Sequence, residues 1–174
     1  MKKFELTNEF ITNMFGTKLF RIRALVEFGD VEAGELGGYV EKESNLGHDD
    51  NAWVYDNAWV YGDAQVSGDA QVSGDALVYD NARVYGDARV CGNGDYAYAH
   101  GFGSVNRTTT FFRLKDGGVG VRCGCFYGTL AQFRDKIRET HGESAIAEEY
   151  LDLAALMEKR FRRTGNEQKT EEES

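Results

Sequence analysis

The 174-residue chain contains no proline, only three cysteines and only three histidines. Without proline no turn can rely on a ring-fixed φ, so glycine, asparagine and aspartate must make the corners. An odd cysteine count, with two residues in the close pair Cys123–Gly124–Cys125, argues against a disulfide framework and for a reducing compartment. His48, His100 and His141 lack the spacing of a converging catalytic zinc triad. No run approaches the roughly 18 apolar residues that cross a bilayer, and the opening MKKFELTNEF has no apolar leader core. These absences lead us to expect a cytoplasmic protein with no membrane partner, no metal and no cofactor.

What the chain does have is a strict period of six. Alanine recurs at Ala52, Ala58, Ala64, Ala70, Ala76, Ala82 and Ala88, and valine two places later at Val54, Val60, Val66, Val72, Val78, Val84 and Val90. No α-helix has that period. Alternation within each unit (Ala in, a variable residue out, Val in) gives a short strand with two small apolar side chains on one face. The residues between successive strands are Tyr or Ser, then mostly Gly, then Asp or Asn, which turn a chain at little steric cost. Short strands and corners in strict alternation predict a β-solenoid.

The pattern resembles the hexapeptide repeat of left-handed parallel β-helices. The resemblance implies a mainly β fold: a short triangular solenoid, 18 residues per coil, packed as a homotrimer. About three coils stacked at about 4.8 Å each make a stub only about 15 Å long, so association would compensate for its small core. The order of motifs, from Phe4-Glu-Leu-Thr through Leu36-Gly-Gly-Tyr-Val-Glu to Gly124-Cys-Phe-Tyr-Gly-Thr-Leu, is similar to hexapeptide-repeat proteins of bacteriophages and prophages. That likeness implies a phage setting, hence the host bacterial cytoplasm, but no activity.

Four parts are expected along the chain. Residues 1–45 read as an N-terminal β cap with a hairpin that puts Phe20 and Ile22 on one face. Residues 46–105 form the solenoid, with Tyr96 and Phe102 holding the valine phase as a closing plug. Residues 106–163 read as a β-hairpin around Lys115-Asp-Gly-Gly followed by two helices, the first capped by Thr129 and ended by Gly142, the second capped by Ser144. Cys123 and Cys125 are expected on one side of a strand, as small buried hydrophobes. Residues 164–174 read as a disordered tail.

The charge of −9 is unevenly spread: residues 46–95 hold nine aspartates against two arginines, and residues 107–163 hold eleven basic against eight acidic residues. Direct nucleic-acid binding by the acidic repeat is therefore disfavoured. Its corner acids are also too sparse along the stack to imitate the one charge per about 1.7 Å of duplex DNA. Counting in eighteens places Trp59, Tyr61, Leu77 and Tyr79 on one outer wall, an apolar patch of the kind that marks an interface. The readings are self-association, cover by the chain's own helices, or a second protein. Asp69 and Asp87 stack at one corner, where turn formation accounts for them and calcium is the alternative. Arg83 and Arg89 sit where a subunit seam could hold an anionic ligand. Arg160, Arg162 and Arg163 end the second helix, where they favour its dipole or contact an acidic partner.

Catalysis finds little purchase. Resemblance to hexapeptide acyltransferases would make His100 a general base beside a groove for a coenzyme A thioester. Yet no acidic orienting residue accompanies His100 in sequence, and the repeat carries no inserted loop. We therefore expect a non-catalytic, phage-type binding protein engaging a host protein or ribonucleoprotein, as an anti-defence inhibitor of a CRISPR effector or a nucleotide-signalling protein. The alternatives are a thioester-using acyltransferase and a nucleotide-binding sponge.

Overall fold

A computed structural model describes residues 1–173. They fall into two compact units, residues 1–93 and 94–173, mostly β with two helices.

In the first unit, β1 (Phe4–Thr12), β2 (Lys18–Ala24) and β3 (Leu36–Val40) form an antiparallel sheet. Seven two-residue strands follow: β4 (Trp53–Val54), β5 (Trp59–Val60), β6 (Gln65–Val66), β7 (Gln71–Val72), β8 (Leu77–Val78), β9 (Arg83–Val84) and β10 (Arg89–Val90). They pair in parallel as three ladders, β3-β5-β8, β4-β7-β10 and β6-β9. Val54 lies against Val72, Val60 against Val78, Val66 against Val84 and Val72 against Val90. Every period-six alanine and valine is wholly buried. Between repeats, the outward residues donate N–H bonds to the Ala and Val carbonyls of the unit three repeats on, as in Trp59 to Ala76 (2.9 Å) and Tyr61 to Val78 (3.0 Å). Each two-residue strand is therefore held by neighbours distant in sequence, since so short a strand has no stability alone.

The corners repeat as regularly. Asp56, Gly62, Gly68, Gly74, Asp80 and Gly86 all have φ between +54° and +73°. A side chain at Gly68 would meet the Gly86 nitrogen at 2.7 Å, so the stacked corners leave room for hydrogen only. Acidic side chains tie these corners together: Asp50 Oδ2 accepts the Gly68 N–H, Asp56 Oδ2 that of Gly74 (3.1 Å) and Glu41 Oε2 that of Gly62 (2.6 Å).

The N-terminal segment is more than a hairpin. β3 is at once the last antiparallel strand and the first parallel one, with Tyr39 opposite Trp59 and Val40 opposite Val60. Gly37 and Gly38 permit this: a Cβ on either would lie 2.5–2.6 Å from a carbonyl oxygen of Val54 or Ala58. Leu19 and Ile22 are the wholly buried residues of β2, while Phe20 is half-buried. A register shift between Arg21 and Arg23 interrupts the simple alternation that would have paired Phe20 with Ile22. Trp53 occupies the variable position of its repeat, which alternation would point outward, yet it is wholly buried with Phe4 and Phe28 at its edge. Lys3 is 3% exposed; its Nζ donates to the carbonyls of Asp50 and Ala52 at 2.8 Å each and lies 4.6 Å from the Phe28 ring centre. Burial pulls its pKa down, and the Asp50 carboxylate partly opposes that.

The second unit is a four-stranded antiparallel sheet with two helices: β11 (Tyr96–Phe102), β12 (Arg107–Arg113), β13 (Val119–Cys123), β14 (Phe126–Thr129), α1 (Leu130–His141) and α2 (Ala145–Glu173). Three expectations change here. The parallel ladders end at Val90, and Tyr96–Phe102 pairs antiparallel with β12, because a short hairpin closes at less entropic cost than a distant parallel pairing. Residues 164–173 continue α2. Thr164 is buried and receives a bond from Arg113 (3.1 Å), Gln168 donates to Asp95 (2.8 Å) and Arg163 pairs with Glu167 (2.8 Å). Cys123 ends β13 buried, whereas Cys125 is exposed in the two-residue turn to β14, so the pair does not share a strand face. The helix caps are as read from sequence: Thr129 and Gln132 form a capping box, Gly142 closes α1 at φ +60°, and Ser144 Oγ accepts from Ala147 N–H.

Two substitutions separate corner stacking from simple turn geometry. Gly16 has φ +83° but open space around it, so Gly16→Ala is expected to cost about 1 kcal/mol from its left-handed backbone alone. Gly68→Ala adds overpacking and is expected to cost about 2–4 kcal/mol in urea unfolding; equal losses would show that the corners are not packed against each other. Lys3→Met should lower stability by about 2 kcal/mol, because two buried carbonyls lose their donor; an unchanged urea midpoint would contradict that role.

Candidate functional site

The apolar wall is built on the β3-β5-β8 ladder. Val60 and Val78 point inward, so the residues on either side of each must point outward. Trp59 lies directly opposite Leu77, and the Tyr61 and Tyr79 rings stack with centroids 5.4 Å apart and planes 16° apart. All four side chains are half-buried. The Tyr61 hydroxyl has its pKa raised by burial and by neighbouring Tyr79 and Asp80. Next in the column, Tyr39 is buried and fixed by Arg21 Nη1, which donates to its hydroxyl at 2.9 Å. The four residues singled out in sequence thus lie on one outer ladder, as three aromatic rings and one leucine.

The charged candidates are dispersed. Arg83 donates to Gln65 across the β6-β9 ladder. Arg89 Nη1 donates to the carbonyls of Asp69 (2.8 Å) and Ala88 (2.9 Å), fastening two repeats together. Asp69 accepts from Asn51 Nδ2 at 2.9 Å, an amide–carboxylate rung that avoids like charges in contact, and Asp87 is exposed. In α2, Arg160 Nη1 donates to the Gly94 carbonyl (3.3 Å) and its guanidinium lies 5.1–5.2 Å from the Phe161 ring with that of Arg113. Burial lowers the pKa of Arg160, with Arg163 and Arg113 adding repulsion. Arg163 is paired to Glu167, whereas Arg162 lines a shallow cavity of about 570 Å³ with Arg113 and Lys169. The three arginines therefore do not form one patch.

The histidines are all in structural contacts. His100 Nδ1 lies 2.7 Å from Thr108 Oγ1 on the neighbouring strand and is exposed, with no carboxylate hydrogen-bonded to it among the described residues. His48 stacks on Phe4 at 4.3 Å and accepts the Lys3 backbone N–H, and His141 stacks on Tyr150 at 6.0 Å. Among the described residues no cluster of three or more His, Cys, Asp and Glu could hold a metal ion.

Sequence reasoning missed a second cavity of about 290 Å³ in the 94–173 unit, walled by Phe126, Phe133, Ile137 and Tyr150 and rimmed by Arg107 and Cys125. Its parts come from a turn, a strand end and two helices, so no local motif announces it. Cys123 Sγ beneath it accepts from Thr109 Oγ1 (3.3 Å). Burial, helped by the adjacent Cys123 thiol, pushes the Tyr150 hydroxyl up to about 12.

Residues 52–68 and 70–86 each match the family described as YdcK Beta solenoid repeat. The matched stretches hold β4 to β9 and support a β-solenoid repeat there. No curated protein matches the chain.

The raised Tyr150 pKa has a stability consequence. Its folded value lies above the ordinary tyrosine value of 10, so the contribution is fully present below pH 10 and is lost as pH rises towards 12. Wild-type protein should lose more urea resistance between pH 9 and pH 11 than Tyr150→Phe does. Equal losses would show that this hydroxyl is not shielded from water.

Proposed function

We propose that this protein is a non-catalytic binding protein, assembled through its solenoid wall and directed at a macromolecule of a bacterial host. The observation that carries the reading is the column Trp59, Tyr61, Leu77 and Tyr79, half-buried side chains on a repeat without insertions. In this reading the ladders close into a left-handed triangular solenoid with 18 residues per coil. Its support is the common offset of the parallel partners, such as Val60 with Val78 and Val66 with Val84, and a corner of positive φ every sixth residue. Three copies then pack side by side and cover the column, because stacked rings and an indole gain most from leaving water.

The contacts of the polar candidates favour binding over turnover. His100 has a threonine partner, Arg89 is held on backbone carbonyls and Arg83 on Gln65. The acidic repeat repels nucleic acid, so the partner is a protein, or the protein surface of a ribonucleoprotein. Taking the phage-like order of sequence motifs as the setting, we assign the partner to host defence, with a CRISPR effector as the type. The protein acts there as an inhibitor, in the host cytoplasm.

Sedimentation equilibrium tests the assembly and affinity capture tests the role. The wild type should weigh three times its 19.4 kDa chain mass, and Trp59→Lys with Tyr79→Lys should reduce it to one chain with an unchanged circular dichroism spectrum. Immobilised wild type should retain a defence protein from bacterial lysate. A monomeric wild type, or hydrolysis or transfer from acetyl-coenzyme A that is lost in His100→Ala, would contradict the proposal.

A further inference from the structure

We propose that the cavity of about 290 Å³ in the 94–173 unit binds a small amphipathic organic carboxylate. This site is separate from the solenoid wall and does not depend on the function proposed above.

The lining sorts into an apolar interior and a polar mouth. Phe126 and Phe133 pack with centroids 5.7 Å apart, and with Ile137 they offer only hydrocarbon to a ligand. Phe133 in turn meets the Tyr150 ring edge-on at 5.8 Å. A cavity of this size takes one chain of about six to eight carbons, at the small end of ligand sites.

The mouth carries the charge. Arg107 is exposed, and no ion pair or side-chain hydrogen bond satisfies its guanidinium among the described residues. It reaches over Gly124, where a Cβ would fall 1.9 Å from Arg107 Nη1. Lys136 also lines the cavity, but its ammonium is paired with Glu139 at 3.2 Å. His141 is stacked on Tyr150, and Glu149 acts on the Tyr150 hydroxyl from α2. One unpaired cation at the mouth therefore suits a monoanion and disfavours the several negative charges of a nucleotide or a coenzyme A thioester.

Tyr150 supplies the second donor. Its hydroxyl donates to the Phe102 carbonyl only at 3.4 Å, a long contact that a carboxylate oxygen could replace, and accepts a weak contact from Cys123 Sγ at 3.9 Å. With its pKa pushed up to about 12, the hydroxyl keeps its proton throughout the physiological range. The Arg107 guanidinium at the mouth of an apolar slot, with the buried Tyr150 phenol in its wall, forms a charge-assisted site for a carboxylate head, with the tail inside.

Cys125 on the rim is exposed and gives a direct readout. In a Cys91→Ser background, which removes the other exposed thiol, the rate of Cys125 alkylation by iodoacetamide is followed while sodium octanoate or octan-1-ol is added. Octanoate should slow the reaction saturably, with a half-point about tenfold below that of octanol, the size of one charge-assisted contact. Arg107→Gln should remove that tenfold advantage, and Thr140→Trp, an exposed position on the rim, should abolish protection by either compound. Equal protection by octanoate and octanol, or an unchanged response in Arg107→Gln, overturns the carboxylate assignment. No saturable protection by either compound overturns the site. Circular dichroism of both variants confirms that the unit is folded.

Discussion

The structure depends on how little room lies between one repeat and the next. Alanine and valine fill the inward positions completely, and the backbone N–H groups of one repeat reach the carbonyls of the unit three repeats on at about 2.7–3.1 Å. A larger inward side chain would push the strands beyond hydrogen-bonding distance, and a smaller one would leave a void. The same closeness governs the corners, where Gly68 sits on Gly86 with no space for a methyl group. Period, strand length, corner residue and core volume are therefore one constraint expressed four ways.

That constraint explains which surface is left for function. A strand of two residues has one inward side chain, so its outward neighbours are free to vary. On the β5–β8 ladder they are aromatic or aliphatic, while on the β6–β9 ladder they are Gln65 and Arg83, joined across the ladder by a hydrogen bond. The acids at the corners are absorbed by the fold, capping glycine N–H groups or accepting from Asn51. Part of the acidic surface of a −9 chain is thus engaged in its own architecture, whereas the column at Trp59 presents rings and a leucine.

The repeat was legible because its period is strict and its side chains are small: counting alone placed Val60 opposite Val78 and Trp59 beside Leu77. The helices were legible for a different reason, since Thr129, Gln132 and Gly142 are local signals that act within one turn. Tyr96 misled because it keeps the valine phase while belonging to a seven-residue strand, and phase does not reveal which partner a strand will choose. Residues 164–173 look like a polar tail, yet Thr164, Gln168 and Arg163 have partners that hold the helix. Trp53 and the Arg107–Tyr150 cavity were hidden because their neighbours come from distant segments. Contact between distant segments is what a periodicity argument cannot supply.

The central claim is that the Trp59 column is covered by further copies of the chain. Trp53 is wholly buried, so Trp59 is the tryptophan that can report on solvent access. Iodide quenching of tryptophan fluorescence, followed from high to nanomolar protein concentration, measures that access directly. The account predicts weak quenching in concentrated solution and a rise on dilution as Trp59 becomes wet. Quenching that is strong and independent of concentration would contradict it.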